Sequence, residues 1–286
     1  MVRPKTNIGV IYMTDKTIFG DMSEEQIRAE AGMGAKSTPS YIVQLRTTSN
    51  HKDKNNDDKI TQHLGSYNVW DKDTEQFIYA PTISFRPFMK RNQYMTWDNK
   101  EKTFSAESIL VAFGEEAFDT LGTTKCGYVT AKNRNDLTPD QKEKANNTKF
   151  YRIMYGLIDM KGENSKGDKI TLKQYPVQIK YAGGNAVVMS NLDSLLSNKG
   201  ILWSNKVELS TEEKTNGGIT YYNIKLGKIT SLDVPANLLE DSDDGRAYQL
   251  FKNDIDAKNS QVMEKYHAHL KKYADDTEAV SKVTNS

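Results

Sequence analysis

The chain has 286 residues, 27% of them charged and 37% hydrophobic, with a formal net charge of +1. That length can bury a full core as one decorated domain or two small ones, and no apolar run approaches the roughly 18 residues that a membrane span needs. Cys126 is the one cysteine and the opening MVRPKTNIGVIYM has no apolar signal core, so a reducing cytoplasm is expected rather than export or disulfides.

In chain order, an N-terminal extension runs to residue 38. Ser23 and Gln26 have the spacing of a capping box, Ile27 and Ala31 give a short apolar face, and Gly32 and Gly34 end this expected helix. A β body follows over residues 39–232. Tyr41 to Thr47 reads as a strand, SNHKDKNNDDK as an exposed loop, and GSYNVWD, QFIYA, TISFRPF and NQYMTWD as strands, with Pro81 and Pro87 suited to edges or bulges. EEAFDTLG is a short helical candidate stopped by Gly122, and TAKNRNDLTPDQKEKANNT is a long polar excursion, functional or disordered.

Strands resume at KFYRIMYGLIDM and, after the turn KGENSKGDK, at ITLKQYPVQIKYA. Ser190 and Asp193 make an S-x-x-D cap, Leu192, Leu195 and Leu196 a buried stripe and Gly200 a stop, so this helix is expected to plug a barrel end. The hairpin ILWSNKVELS to ITYYNIKLGKI completes the body. Residues 233–286 then comprise an acidic linker, an amphipathic helix and a frayed tail. Tyr248, Phe251, Ile255, Val262, Tyr266, Leu270 and Tyr273 recur at helical steps, apart from a polar gap at Asn259. The fold class expected is therefore mainly β with α additions, a barrel or sandwich carrying long loops, a capping helix and a long C-terminal helix.

The most informative stretch is Thr82 to Gly127. Its first part sets Phe85, Phe88, Tyr94 and Trp97 among Arg86, Lys90 and Arg91, and the later strand repeats the pattern with Tyr151 and Tyr155 beside Lys149 and Arg152. Rings and cations on one sheet suit single-stranded nucleic acid, because bases stack on the rings while ammonium and guanidinium groups meet phosphates. The competing reading makes the rings core and the cations solvated. Strand alternation puts Arg86 and Phe88 opposite Phe85, so at least one ring must be core. Charge adds weak support: from Asp233 to Ser286 there are seven Lys or Arg against eleven Asp or Glu, which leaves 32 against 27 in the first 232 residues.

Catalytic and metal motifs are not expected. His51, His63, His267 and His269 are scattered, and the last two lie two apart on one helix, about 200° around it. GENSKGDK carries Asp168 where a phosphate loop needs lysine, and Cys126 has no base in its motif. Neither a metal nor a cofactor is expected.

Taken in order, FRPFMKRNQYMTWD, LGTTKCG, KFYRIMYGLI and the segment from Pro176 to ITYYNIKL resemble single-stranded DNA-binding proteins of tailed bacteriophages, over roughly Tyr41 to Leu226. The resemblance implies an OB-fold barrel with insertions, coating single strands during DNA replication or recombination without catalysis. The C-terminal end lacks the strongly acidic tail many such proteins use to recruit replication partners. Expected partners are single-stranded DNA, replication or recombination proteins through the C-terminal region, and a second copy of the chain, with no membrane. The alternative is a viral structural or adaptor protein whose C-terminal helix docks on a partner.

Overall fold

The computed structural model describes residues 42–48, 52–53, 56–59, 63–129, 135–216 and 219–284. The chain divides into Met1–Pro39 and Ser40–Ser286, and the expected helix near Ser23 lies outside the described residues. In the second unit, alternating sequence yields β1 (Val43–Thr47), β4 (Tyr67–Asp71), β5 (Gln76–Ala80), β6 (Ile83–Asp98), β7 (Thr103–Glu107), β8 (Thr148–Asn164), β9 (Lys169–Tyr181), β10 (Asn205–Asn216) and β11 (Ile219–Ser231). The polar stretch expected as a loop carries a small hairpin of β2 (Lys52–Asp53) and β3 (Asn56–Lys59). Among the described residues three α-helices punctuate the strands: α1 (Pro139–Asn147), α2 (Gly184–Ser197) and α3 (Asp243–Thr284).

The main sheet runs β11-β10-β6-β8-β5-β4-β1-β9 with β7 on β6. Because β9 pairs in parallel with β1 and antiparallel with β8, the strands β8, β5, β4, β1 and β9 close into a ring. Inside lies a core that includes Leu45, Tyr67, Val69, Ile78, Phe85 and Ile158, and Met189, Leu192 and Leu196 of α2 belong to it. The expected helix is therefore present and packs into this core, but it begins at Gly184, so Ser190 is an interior helical residue rather than a cap, and Leu195 is exposed.

TISFRPF and NQYMTWD form one strand, not two. Against β8 its register jumps between Pro87 (opposite Gly156) and Met89 (opposite Tyr155), so Phe88 is the extra residue of a bulge. Proline has no N–H to donate, and the bulge keeps the ladder in step around it. Opposite it, a Cβ on residue 156 would lie 2.3 Å from the Arg86 carbonyl oxygen and 2.5 Å from the Phe85 ring, so only glycine admits β6 this closely.

The outer face of β6 and β8 makes a second core, in which Phe88, Met89, Ile153, Tyr155 and Leu157 meet Phe251 and Ile255 of α3. Fully burying side chains of this size contributes roughly 1.5–3 kcal/mol each. Val262 is also buried, whereas Leu270 is exposed, so the stripe on α3 is used only in part. The polar gap in it has a purpose: Asn259 accepts from the Leu110 N–H (2.6 Å) and donates to the Leu110 carbonyl (3.0 Å).

One expected helix fails to form, and one that the polar pattern did not suggest is present. EEAFDTLG is a loop, because Asp119 Oδ1 accepts from the N–H groups of Leu121 and Thr123 and holds the chain in a turn. Within the polar excursion, α1 opens on a Thr138/Gln141 capping box, whose reciprocal bonds are 3.0 and 3.4 Å.

Arg86 joins α3 to the sheet. Its guanidinium donates to both carboxylate oxygens of Asp244 (2.7 and 2.6 Å) and to the Trp203 carbonyl (2.7 Å), and its side chain is only 7% exposed. Asp244→Ala leaves that charge buried without its partner, so urea denaturation should show a loss of about 3–5 kcal/mol. Adding Arg86→Leu to that variant should recover part of the loss.

Candidate nucleic-acid interface

The β6–β8 ladder extends from Ser84–Asp159 to Thr96–Thr148, and its two halves differ. In the near half the two cores cover both faces. Phe85 is 0% exposed in the barrel core, and Phe88 and Tyr155 are 1% and 0% exposed beneath α3. These three rings cannot stack on a base, which corrects the sequence expectation for each, and Arg86 is committed to Asp244 beside the Phe88 ring. Lys90 is likewise ion-paired, its ammonium 2.8 Å from Asp193 of α2.

In the far half neither core is present, and rings remain half-buried on both faces. On one face Tyr94 and Phe150 are cross-strand partners with centroids 5.0 Å apart, and Tyr128 lies 5.3 Å from Tyr94. Arg152 sets its guanidinium 5.7 Å from the Phe150 centroid and donates to the Ala186 carbonyl at 3.2 Å. On the other face Tyr151 carries the Lys180 ammonium 4.5 Å from its ring centre, and that ammonium also donates to Gln93 Oε1 at 3.1 Å. Lys149 is exposed, Arg91 is half-buried and donates to the Lys90 carbonyl, and at the hairpin end Trp97 meets Phe104 edge-on at 5.1 Å.

LGTTKCGY places Tyr128. Cys126 is buried in a left-handed conformation (φ 51°) with its thiol 3.3 Å from the Tyr94 carbonyl, and its own carbonyl accepts from the hydroxyl pair of Thr96 and Thr148, which lie 2.8 Å from each other. The chain must therefore lie against β6 here, and Tyr128 follows two residues later. Sequence reasoning missed Tyr128 and Lys180. A signal for the first was present in the Cys-Gly-Tyr turn, whereas Lys180 reaches Tyr151 only through the β8–β9 register.

Of the expected residues, the structure thus gathers Tyr94, Lys149, Tyr151 and Arg152 at one end of the ladder, with Arg91 and Trp97 on the same stretch of β6. Flat rings with cations over them are an arrangement on which planar, anionic polymers stack and pair. Among the described residues no three His, Cys, Asp or Glu side chains converge as metal ligands, and no helix is long and apolar enough to cross a membrane. No protein-family model, curated protein or solved structure matches the chain.

Burial pushes the Lys180 ammonium down from 10.5 to about 8, with Lys258 adding in the same direction and Glu107 opposing. The folded state then gives up this proton near pH 8, while the unfolded chain keeps it to near 10.5. Between those values the unfolded state holds more protons, so this residue makes stability rise with pH. Urea midpoints measured across that window should rise in the wild type relative to Lys180→Met, in which the contribution is missing.

Proposed function

We propose that this protein binds single-stranded DNA without catalysis, coating or protecting it during viral DNA replication or recombination. The observation that carries the reading is the far end of the β6–β8 ladder. There Tyr94, Phe150 and Tyr151 stay half-exposed with Arg152 and Lys180 at their rings, while the same residue types in the near half are consumed by the cores. The fold adds support. Strands β6, β8 and β9 follow one another as a meander, α2 crosses over, and β10 returns beside β6, which is the Greek-key order, with β11 as a fifth strand. We read this as an OB-fold-like arrangement in which β1, β4 and β5, rather than β10 and β11, complete the closed ring, with β7 added at β6; OB barrels bind oligonucleotides on the face of their second and third strands and the adjoining loops, here β8, β9 and the β6–β8 connection.

The resemblance of the sequence motifs to single-stranded DNA-binding proteins of tailed bacteriophages points the same way. On this reading the exposed face of α3 around Leu270 is where a replication or recombination protein or a second copy would dock.

The test is titration with oligo(dT), following tryptophan fluorescence at two salt concentrations with duplex DNA as competitor. Quenching that weakens with salt and survives the duplex is the expected outcome. No quenching at low salt would favour the adaptor alternative. Tyr151→Ala should weaken binding roughly five- to a hundredfold, the effect of about 1–3 kcal/mol from one stacking platform, and Lys149→Ala should reduce the salt slope by about 0.7. Affinity should fall from pH 7 to pH 9 as Lys180 loses its charge, and Lys180→Arg should resist that fall.

A further inference from the structure

A second collection of exposed rings lies on β4 and β5, away from the ladder tip. Trp70 and Phe77 are cross-strand partners, 39% and 42% exposed, with ring centroids 5.0 Å apart. Tyr79 follows 6.3 Å from Phe77, and His63 stacks on it at 4.4 Å with the planes 10° apart. His63 and Tyr79 line a hollow of about 410 Å³ together with Lys161 and Lys169, and Lys161 and Thr171 also line a larger cleft of about 730 Å³. Ring shelf, hollow and cleft are thus continuous.

The cleft has the chemistry of a nucleotide site. Ile83, Met160, Leu172 and Leu209 give it apolar walls, and Ser84, Thr171, Gln174 and Ser210 supply donors and acceptors around them. Lys161 and Lys173 stand on its lining, both exposed, and neither makes an ion pair among the described residues. The carboxylate of Asp159 is already matched by Lys206 (2.6 Å) and two bonds from Gln174, and Glu163 is matched by Lys169. That leaves two lysines against Glu208, an excess of positive charge beside an apolar slot large enough for a planar ring.

We propose that the cleft and its ring shelf form a second subsite for single-stranded nucleic acid: one unpaired base enters the slot, Lys161 and Lys173 hold the flanking phosphates, and neighbouring bases stack on Tyr79 and Phe77. The proposal rests on the reading of the protein as a single-strand binder. Tyr151 and Lys161 lie ten residues apart on β8, about 33 Å along an extended strand. Between them the outer face of β8 is occupied by Phe251 and Ile255 of α3, so only a long strand can engage both sites.

The experiment compares a short oligo(dT) of about six nucleotides with a long one of about thirty, using wild type, the K161E/K173E pair and F77S, with circular dichroism to confirm folding. Wild type should bind the long strand at least about a hundredfold more tightly, because the second contact becomes intramolecular. K161E/K173E should lose at least about tenfold for the long strand, with its salt slope lowered by about 1.4, and leave the short strand unchanged. Unchanged long-strand affinity in both variants overturns the subsite while the binding reading stands, and failure of wild type to bind either length overturns that reading itself. A shift of free F77S to a smaller species in sedimentation, with DNA affinity intact, would instead make the shelf a contact between two copies and overturn the proposal.

Discussion

The pairing of β6 with β8 is the constraint on which both core and candidate interface depend. It is long enough to outrun the hydrophobic layers on either side of it. Where α2 and the barrel close over one face and α3 over the other, the large apolar side chains on the ladder are used for packing. Beyond them the same two strands continue as a hydrogen-bonded ribbon, held to the loop around Cys126 by the Thr96 and Thr148 hydroxyls. The rings there retain partial solvent contact because neither α2 nor α3 carries its buried apolar residues that far along the ladder.

The helices also decide which cations are free. Asp244 of α3 and Asp193 of α2 each take a cation from β6, namely Arg86 and Lys90. Farther out, Arg152 meets the start of α2 through a carbonyl oxygen, and Lys180 meets an amide and a ring rather than an acid. A carboxylate partner in a half-buried setting holds a cation in place, whereas a carbonyl or ring leaves its charge available to an anion. The modest basic excess of the chain is thus less informative than the partner each basic group finds.

Much of the architecture was legible in the sequence because it follows from period. The alternation in YNVWD, QFIYA and KFYRIMYGLIDM and the helical recurrence from Tyr248 to Val262 are local properties, and they produced the strands and helix they imply. The loop at EEAFDTLG was not legible, since side-chain bonds from Asp119 outcompete a weak helical pattern. The helix after Thr138 was legible in principle, its T-x-x-Q cap being visible in a stretch read only as a long polar excursion. The division of aromatic residues between core and surface was the least accessible. Phe85 and Tyr94 look alike in sequence; what separates them is how far along one ladder each lies from α2 and α3, a fact of tertiary packing.

Asn259 sets the position of the long helix more sharply than its greasy neighbours do. Phe251, Ile255 and Val262 bury the helix face against the sheet, but apolar contact is non-directional, whereas a hydrogen bond specifies one position. The paired amide bonds to Leu110 vanish on any shift of α3 along the sheet, stranding a donor and an acceptor of the main chain away from water. This polar side chain, with Lys258 on Gln178 and Lys265 on Glu107, therefore works as an index mark. It fixes where Asp244 arrives at the other end of the helix, and through it the alignment of Arg86.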